Sequence, residues 1–193
     1  MLTKAVQNYI EANLSKRRYK HSMSVAEEAG RLAIKFGADE EKAYFAGIAH
    51  DLAKEIPEEE LRLKLIGYGK QELLDEYSYP LLHGPAAAVI LKEEFSVFDE
   101  EVLDAVFYHT TGKEDMNLLT KIIYLADFIE PGRKFSGIEK VRYTAYKNLD
   151  EAIIIASGMV IINTIKKGKE LHPDTIISRN YLLKSCNDVR VDF

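Results

Sequence analysis

The sequence predicts an all-α protein built from about ten short helices. Apolar residues recur at helical spacing along most of the 193 residues. No pair of alternating strands joined by an Asn-Gly or Asp-Gly turn is present. Hydrophobic residues make up 47% of the chain and charged residues 30%, a composition typical of soluble globular proteins. Because no repeat, low-complexity tract or linker interrupts the pattern, residues 1–193 are expected to form a single domain, a helical bundle.

The first half of the chain carries start and stop signals for four helices. The segment LTKAVQNYIEANL has helical spacing, with Thr3 as a candidate N-cap. A second helix is expected to begin at His21 and to stop at Gly37. The third, ADEEKAYFAGIAHDLAK, opens at Asp39 before acidic residues that favour a helix start. Pro57 suits the first turn of the fourth, PEEELRLKLIGYG.

The second half of the chain continues the helical pattern in six further segments. They are HGPAAAVILKEEF, DEEVLDAVFYHT, NLLTKIIYLADFI, GIEKVRYTAYKN, LDEAIIIASGMVIINTIKKG and DTIISRNYLLKSC. The apolar run 152–165 is shorter than the roughly 20 residues that span a bilayer, so it predicts a core helix. Residues 129–137 are the most irregular stretch and predict a loop between two helices that contacts a ligand.

Charge and cysteine content exclude several classes of protein. The net charge of −5 disfavours extended binding to nucleic acid, although a few local cations suffice for a small anionic ligand. The single cysteine, Cys186, allows no intrachain disulfide and fits a reducing compartment. The N-terminal segment lacks the apolar block of a signal peptide. The sequence therefore predicts a cytoplasmic protein with no membrane partner.

The segment AGIAHDLAK places His50 and Asp51 side by side among apolar residues, where burial of polar groups is costly unless they are satisfied. His21, His83, His109 and Asp127 likewise lie within or beside predicted helices. Each residue taken alone fits a core side chain bonded to the backbone. The whole set also fits one divalent transition metal, because imidazole and carboxylate ligands from distant helices converge in helical bundles. These residues alone leave both interpretations open.

Three cations are candidates for contact with phosphate. Lys54 follows Asp51 by three residues and is expected to share its helix face. Arg18 precedes His21 by three residues within a basic run. Arg133 lies in the irregular loop after Asp127, and a guanidinium fork matches phosphate oxygens. The alternative for each is a solvated surface charge.

Three further polar residues lie near predicted helix ends. Thr110 is placed either to bond phosphate or to cap a helix. His172 and Thr175 precede the last helix, whose free amides and positive dipole end favour an anion. The alternatives are an ordinary N-cap and a surface histidine.

The pair His50–Asp51, preceded by His21 and followed by Asp127, resembles the HD superfamily of metal-dependent phosphohydrolases. The segments that carry a closer resemblance span nearly the whole chain; they are RYKHSMSVAEEAGRLA, KAYFAGIAHDLAKEI, LLHGPAAAVIL, VFYHTTGKEDMNLLTKIIYLADFIEPGRKFSGIEKVR and LHPDTIISRNYLL. Together they resemble the bacterial YqeK-type proteins, which are symmetrical hydrolases of diadenosine tetraphosphate. Ala49 is a small departure, because the family more often has leucine before this histidine.

The resemblance implies a metal, iron first and otherwise manganese or zinc, held by His21, His50, Asp51 and Asp127. It places His83 and His109 at the same pocket, as phosphate contacts or as ligands of a second ion. Metal-bound hydroxide would attack a central phosphorus and release two ADP, with Asp51 and Lys54 as catalytic residues. The resemblance also favours nucleotide contacts by His172 and Thr175.

The sequence leaves two other functions open. The HD core fits a phosphohydrolase acting on another nucleotide, such as a dNTP, a nucleoside monophosphate, a cyclic nucleotide or a guanosine alarmone. It also fits a non-catalytic nucleotide sensor. A homodimer is plausible for an all-α domain with exposed apolar helix positions.

Overall fold

The computed structural model describes residues 2–186, which form eleven α-helices and contain no β-strand. The all-α prediction is confirmed. The helices are α1 (Leu2–Asn13), α2 (Lys16–Phe36), α3 (Glu40–Ala49), α4 (Glu58–Gly67), α5 (Leu73–Glu76), α6 (Tyr79–Phe95), α7 (Glu100–Phe107), α8 (Leu118–Ile129), α9 (Ile138–Ala145), α10 (Leu149–Lys166) and α11 (Pro173–Leu183).

The first two helices begin earlier than the sequence predicts. Thr3 lies inside α1, so its prediction as an N-cap is wrong. The start predicted at His21 is also wrong, because the Ser15 side chain accepts a hydrogen bond from the Arg18 amide and starts α2 five residues earlier. As predicted, Gly37 ends the helix; its φ of 73° is a left-handed conformation that glycine adopts at little cost. The earlier start places His21 well inside α2.

Helix α3 begins as predicted but ends early. Asp39 caps it by accepting a hydrogen bond from the amide of Lys42. It ends at Ala49, and the chain then turns, with the Lys54 amide bonding the Asp51 carbonyl at 2.9 Å. The prediction that Asp51 and Lys54 share an α-helix face is therefore wrong. Adjacent side chains of a continuous helix diverge by about 100°, whereas the helix end and the turns let both His50 and Asp51 face the interior.

The centre of the fold is formed by α2, α3, α7 and α8, which pack against one another. Helix α6 lies on α7, and α10 lies on α8 with α9 and α11 beside it. The core helix predicted for residues 152–165 is confirmed only in its first part: α10 is buried as far as Gly158, whereas residues 159–165 are partly or fully exposed, with Ile165 62% exposed. None of the helices in residues 2–186 combines the length and apolar character needed to cross a membrane. The packing brings the ends and inner faces of five helices to one place, where the candidate site lies.

Candidate metal centre

Six side chains from five helical segments converge in the centre of the bundle. His21 comes from α2, His50 and Asp51 from the end of α3, His83 from α6, His109 from the turn after α7, and Asp127 from α8. The residues His50, Asp51, His83 and His109 are at most 3% exposed. His21 and Asp127 are half-buried and form the open side of the cluster.

Three of the four histidines are oriented in the same way by their own backbone. Nδ1 of His50, His83 and His109 lies 2.7, 3.0 and 2.7 Å from the carbonyl oxygen three residues earlier in the chain. A carbonyl only accepts hydrogen bonds, so each Nδ1 carries the proton and donates. The lone pair of each Nε2 therefore faces the cluster, the tautomer that a metal ligand needs, and at His83 the Lys54 ammonium lies 3.1 Å from it.

The ligand atoms form two overlapping groups. Nε2 of His21, Nε2 of His50 and a carboxylate oxygen of Asp127 form one group, and His50, Asp51 and His109 form the other, with all atoms of a group within 4.8 Å of one another. The two oxygens of Asp51 face opposite sides. Oδ2 lies 3.5 Å from His50 Nε2, and Oδ1 lies 3.2 Å from His83 Nε2.

The donor set fits a divalent transition metal. The buried Nε2 atoms of His21 and His50 face acceptor oxygens rather than donors: His21 Nε2 lies 3.0 Å from Asp127 Oδ1, and His50 Nε2 lies 3.5 Å from Asp51 Oδ2. The Nε2 atoms of His83 and His109 face each other at 3.0 Å, so two lone pairs meet unless a proton or a cation separates them. Buried lone pairs that face each other and two carboxylates are unfavourable unless a cation lies between them. A bound metal ion would satisfy these nitrogens and oxygens together.

The charges in the cluster shift the protonation equilibria. Burial raises the pKa of Asp51, but His50 and His83 outweigh it and hold this pKa well below its usual value. The same balance of burial against His21 and Arg133 lowers the pKa of Asp127. Burial and the neighbouring His83 lower the pKa of His109 to about 3. Both carboxylates are thus anionic and His109 is neutral at neutral pH, which are the states that bind metal.

The three predicted cations surround this cluster. Arg18 Nη1 donates to Asp51 Oδ2 at 2.7 Å, and Arg133 Nη2 donates to Asp127 Oδ1 at 2.5 Å. Lys54 Nζ lies 3.1 Å from His83 Nε2, and burial lowers the pKa of its ammonium group. Three cations therefore contact the cluster directly, one each at Asp51, His83 and Asp127.

Two cavities border the cluster and share Arg133. The larger, of about 550 Å³, is strongly cationic. Its lining is Arg17, Arg18, Lys20, His21, Ser24, Glu130, Pro131, Gly132, Arg133 and Lys134. The smaller, of about 240 Å³, is bordered by His109, Thr110, Tyr124, Asp127, Phe128, Arg133, Phe135 and Val160. The loop predicted at residues 129–137 thus contributes to both cavities.

Two predicted site residues lie apart from these cavities. His172 caps α11 by accepting a hydrogen bond from the Asp174 amide, and its ring stacks on Tyr77 with centroids 4.6 Å apart. It lines a third cavity, of about 370 Å³, with Glu76, Ser78 and others; among the described residues that line it, none belongs to the six-residue cluster. Thr175 is buried in the first turn of α11. A nucleotide contact by either residue stays a prediction.

Sequence reasoning missed Glu130, which follows Asp127 by three residues. Its Oε1 lies 3.2 Å from Nδ1 of His21, and its side chain is only 6% exposed. Glutamate is rarely buried unless it is paired. The signal in the sequence was the carboxylate directly after the apolar helix NLLTKIIYLADFI. Its partner His21 is too far away in the chain for spacing to indicate the contact.

The chain has extensive similarity to known proteins. The HD domain family matches residues 18–132, a segment that contains all six cluster residues. A symmetrical bis(5'-nucleosyl)-tetraphosphatase of Halalkalibacterium halodurans is 42% identical over 93% of this chain and 96% of its own length. A protein of the same name from Bacillus subtilis is 38% identical over 90% and 94% of the two chains.

A solved structure shares the fold as well. It is described as a predicted HD superfamily hydrolase involved in NAD metabolism from Clostridium acetobutylicum, and it is 38% identical to this chain. The superposition has a TM-score of 0.86 and covers 95% of this chain and 97% of the other.

Proposed function

Because this chain belongs to the HD-domain family, and within it to the symmetrical bis(5'-nucleosyl)-tetraphosphatases, we propose that it hydrolyses diadenosine tetraphosphate to two ADP. The observation that carries the proposal is the full-length similarity to these enzymes together with a convergent cluster of four histidines and two aspartates.

The residues that would hold the metal are the six of the cluster. Asp51 has one oxygen toward His21 and His50 and the other toward His83 and His109, an arrangement that suits a carboxylate shared by two ions. The opposed Nε2 atoms of His83 and His109 favour metal ligation over phosphate contact. A bound divalent ion lowers the pKa of its water to about 7 and neutralises phosphate charge.

Iron is the first candidate, with manganese or zinc as alternatives. All four nitrogen donors are imidazoles and both oxygen donors are carboxylates, a set that accepts each of these metals. Cys186 is the sole cysteine of the chain and does not belong to the cluster.

Arg18, Lys54 and Arg133 are proposed to bind the phosphates. Within residues 2–186 their side chains contact the cluster itself, so phosphate oxygens at the metal would come within their reach. Lys54 is proposed to stabilise the departing ADP, because it is a buried cation beside the cluster. Thr110 borders the smaller cavity, and its buried hydroxyl has no partner within residues 2–186. It is proposed as a further phosphate contact.

The two cavities that meet at Arg133 support symmetrical cleavage. A substrate that is cut at its centre needs room for one nucleoside diphosphate on each side of the reacting phosphorus. The cationic cavity provides phosphate contacts on one side. The smaller cavity adds the aromatic rings of Phe128 and Phe135 on the other, which offer a surface for stacking a base.

Product identification tests the proposal. Metal-loaded protein incubated with diadenosine tetraphosphate should yield ADP alone, and formation of ATP plus AMP would contradict symmetrical cleavage. A panel of dNTPs, nucleoside monophosphates and guanosine alarmones distinguishes the alternative phosphohydrolase. Binding of nucleotides without turnover of any of them would identify a sensor.

The cellular setting and the assembly are proposals of the same kind. A cytoplasmic enzyme fits a single cysteine without a disulfide partner. A homodimer fits the exposed apolar side chains of α4, where Leu63 is 71% and Ile66 is 52% exposed. Light scattering of the purified protein would show a mass near twice 21.9 kDa for the dimer.

A further inference from the structure

His21 differs from the other three cluster histidines in the group that its Nδ1 contacts. His50, His83 and His109 each donate from Nδ1 to a carbonyl of their own helical segment. Nδ1 of His21 instead lies 3.2 Å from a carboxylate oxygen of Glu130, at the end of another helix, 109 residues away in the chain. The ring orientation of His21 therefore depends on a side chain, which a substitution can change.

The second oxygen of Glu130 holds the loop that follows α8. Oε2 accepts a hydrogen bond of 2.5 Å from the amide of Gly132. The absence of a side chain at Gly132 permits this close approach, because a Cβ there would lie 2.8 Å from Oε2 and the carboxylate would have to shift. The next residue is Arg133, whose side chain reaches Asp127.

Arg142 of α9 holds the backbone carbonyls of the same segment. Its guanidinium donates to the carbonyl oxygens of Ile129, Glu130 and Arg133 at 2.9, 2.8 and 3.0 Å. The Glu130 side chain is therefore fixed at its base, and its carboxylate bridges the metal-facing histidine and the loop.

We propose that Glu130 is a positioning residue that couples metal binding at His21 to the placement of the phosphate-binding loop. Its carboxylate accepts from His21 Nδ1–H and from Gly132 N–H at the same time. The first bond holds the tautomer in which His21 Nε2 faces the metal and strengthens that nitrogen as a donor. The second keeps Arg133 at the mouth of both cavities. The inference rests on the proposed metal-dependent function, but not on which nucleotide is cleaved.

The difference in hydrogen bonding between a carboxylate and an amide makes Glu130→Gln the variant that tests this coupling. A carboxylate accepts at both oxygens, whereas an amide of the same shape accepts at one atom and donates from the other. In Glu130→Gln the amide oxygen accepts from only one of the two donors, His21 Nδ1–H or Gly132 N–H, and it carries no charge, so His21 loses its charged partner in either orientation. The variant keeps the volume of the side chain, so the packing of α8 against α2 is preserved.

Glu28→Gln is the matched control. Glu28 is also a buried glutamate of the bundle, 6% exposed, and it accepts hydrogen bonds from Tyr146 and Arg31. It contacts none of the six cluster residues in the interactions that residues 2–186 show. Both variants remove one buried negative charge, and only one of them touches a metal ligand.

The test is the dissociation constant for Mn²⁺, measured by competition with a chromophoric chelator, beside KM and kcat at saturating metal. Glu130→Gln should bind the ion about 10- to 100-fold more weakly, the usual effect of losing such an outer partner. Glu28→Gln should stay within twofold of the wild type. At saturating Mn²⁺ the KM of Glu130→Gln should remain raised, because Arg142 holds the carbonyl oxygens of the segment but not the Gly132 amide beside Arg133.

Gly132→Ala provides a second variant if Glu130→Gln fails to fold. It displaces the Glu130 carboxylate without removing it, and it should weaken Mn²⁺ binding as well. Unchanged Mn²⁺ affinity in a folded Glu130→Gln, or an equal loss in Glu28→Gln, would overturn the inference. The metal titration needs no substrate. A wild type that binds Mn²⁺ but does not form ADP would therefore refute the proposed function alone.

Discussion

Replacing Gly47 by alanine tests the contact that sets α3 against α2. A Cβ atom at Gly47 would lie 2.5 Å from Cα and 2.9 Å from N of Ala26, both backbone atoms of α2. Helix α2 carries His21, and α3 leads into His50, whose Nδ1 bonds the Gly47 carbonyl at 2.7 Å. Any movement of α3 away from α2 therefore moves His50 relative to His21.

Two opposing effects determine the size of the change. Alanine is favoured over glycine inside a helix by about 0.5–1 kcal/mol. Overpacking a core costs about 1–3 kcal/mol, and the upper part of that range, about 2–3 kcal/mol, applies here because the clashing atoms are backbone atoms that cannot rotate away. The net loss of unfolding free energy should be about 1–2.5 kcal/mol. In a chain of this size that loss lowers Tm by about 2–10 °C.

Gly30→Ala supplies the control at the same interface. A Cβ at Gly30 would lie 3.7 Å from Cγ of Glu40, an ordinary van der Waals contact. The preference of a helix for alanine over glycine is then not offset by a clash, so Gly30→Ala should raise Tm by about 1–4 °C. Thermal unfolding followed by circular dichroism, with metal removed by a chelator, measures both variants. A Gly47→Ala protein that melts at or above the wild type would refute the close-packing argument.

Three further predictions follow from single contacts. Asp99 caps α7, so Asp99→Ala should cost about 0.5–2 kcal/mol of unfolding free energy in urea at pH 7. The ion pair with Lys42 and the capped amides lower the pKa of Asp99 below its unfolded value of about 3.9. The stabilisation by Asp99 should therefore be complete above the unfolded pKa and be lost as the pH falls through the folded pKa. A difference in unfolding free energy between wild type and Asp99→Ala that persists undiminished at pH 2 would contradict this prediction. Lys54→Met should lower kcat/KM for diadenosine tetraphosphate about 10- to 100-fold in initial-rate assays, the effect of one lost charged hydrogen bond, and an unchanged kcat/KM would remove Lys54 from the site. Arg133→Lys should also raise KM, because Lys has no planar fork for two phosphate oxygens, and wild-type kinetics would show that a point charge suffices.

Much of the fold was predictable because it depends on local signals. Asp39 and Gly37 act as the helix cap and stop that their residue types predict. The start of α2 was missed because the charged run Lys16–Arg18 is typical of a solvated segment outside a helix. The Ser15 hydroxyl, which caps it, is a weaker signal in the sequence.

The metal cluster was partly predictable for a different reason. His50 and Asp51 stand out because burial of a polar pair demands a partner, and the order of the remaining motifs resembles a known family. The partners of the individual histidine ring nitrogens were not predictable from the sequence. The contact between His21 and Glu130 and the opposition of His83 and His109 depend on how α2, α6, α7 and α8 pack.

The most direct test of the account is metal content and product formation in Asp51→Ala beside the wild type, both purified without oxygen. Asp51 contacts His50 and His83 through different oxygens, so its loss should disrupt the whole cluster. The wild type should retain a transition metal and convert diadenosine tetraphosphate to ADP alone, and Asp51→Ala should lose both properties. A variant that keeps the metal and still forms ADP would contradict the assignment of this cluster as the catalytic metal centre.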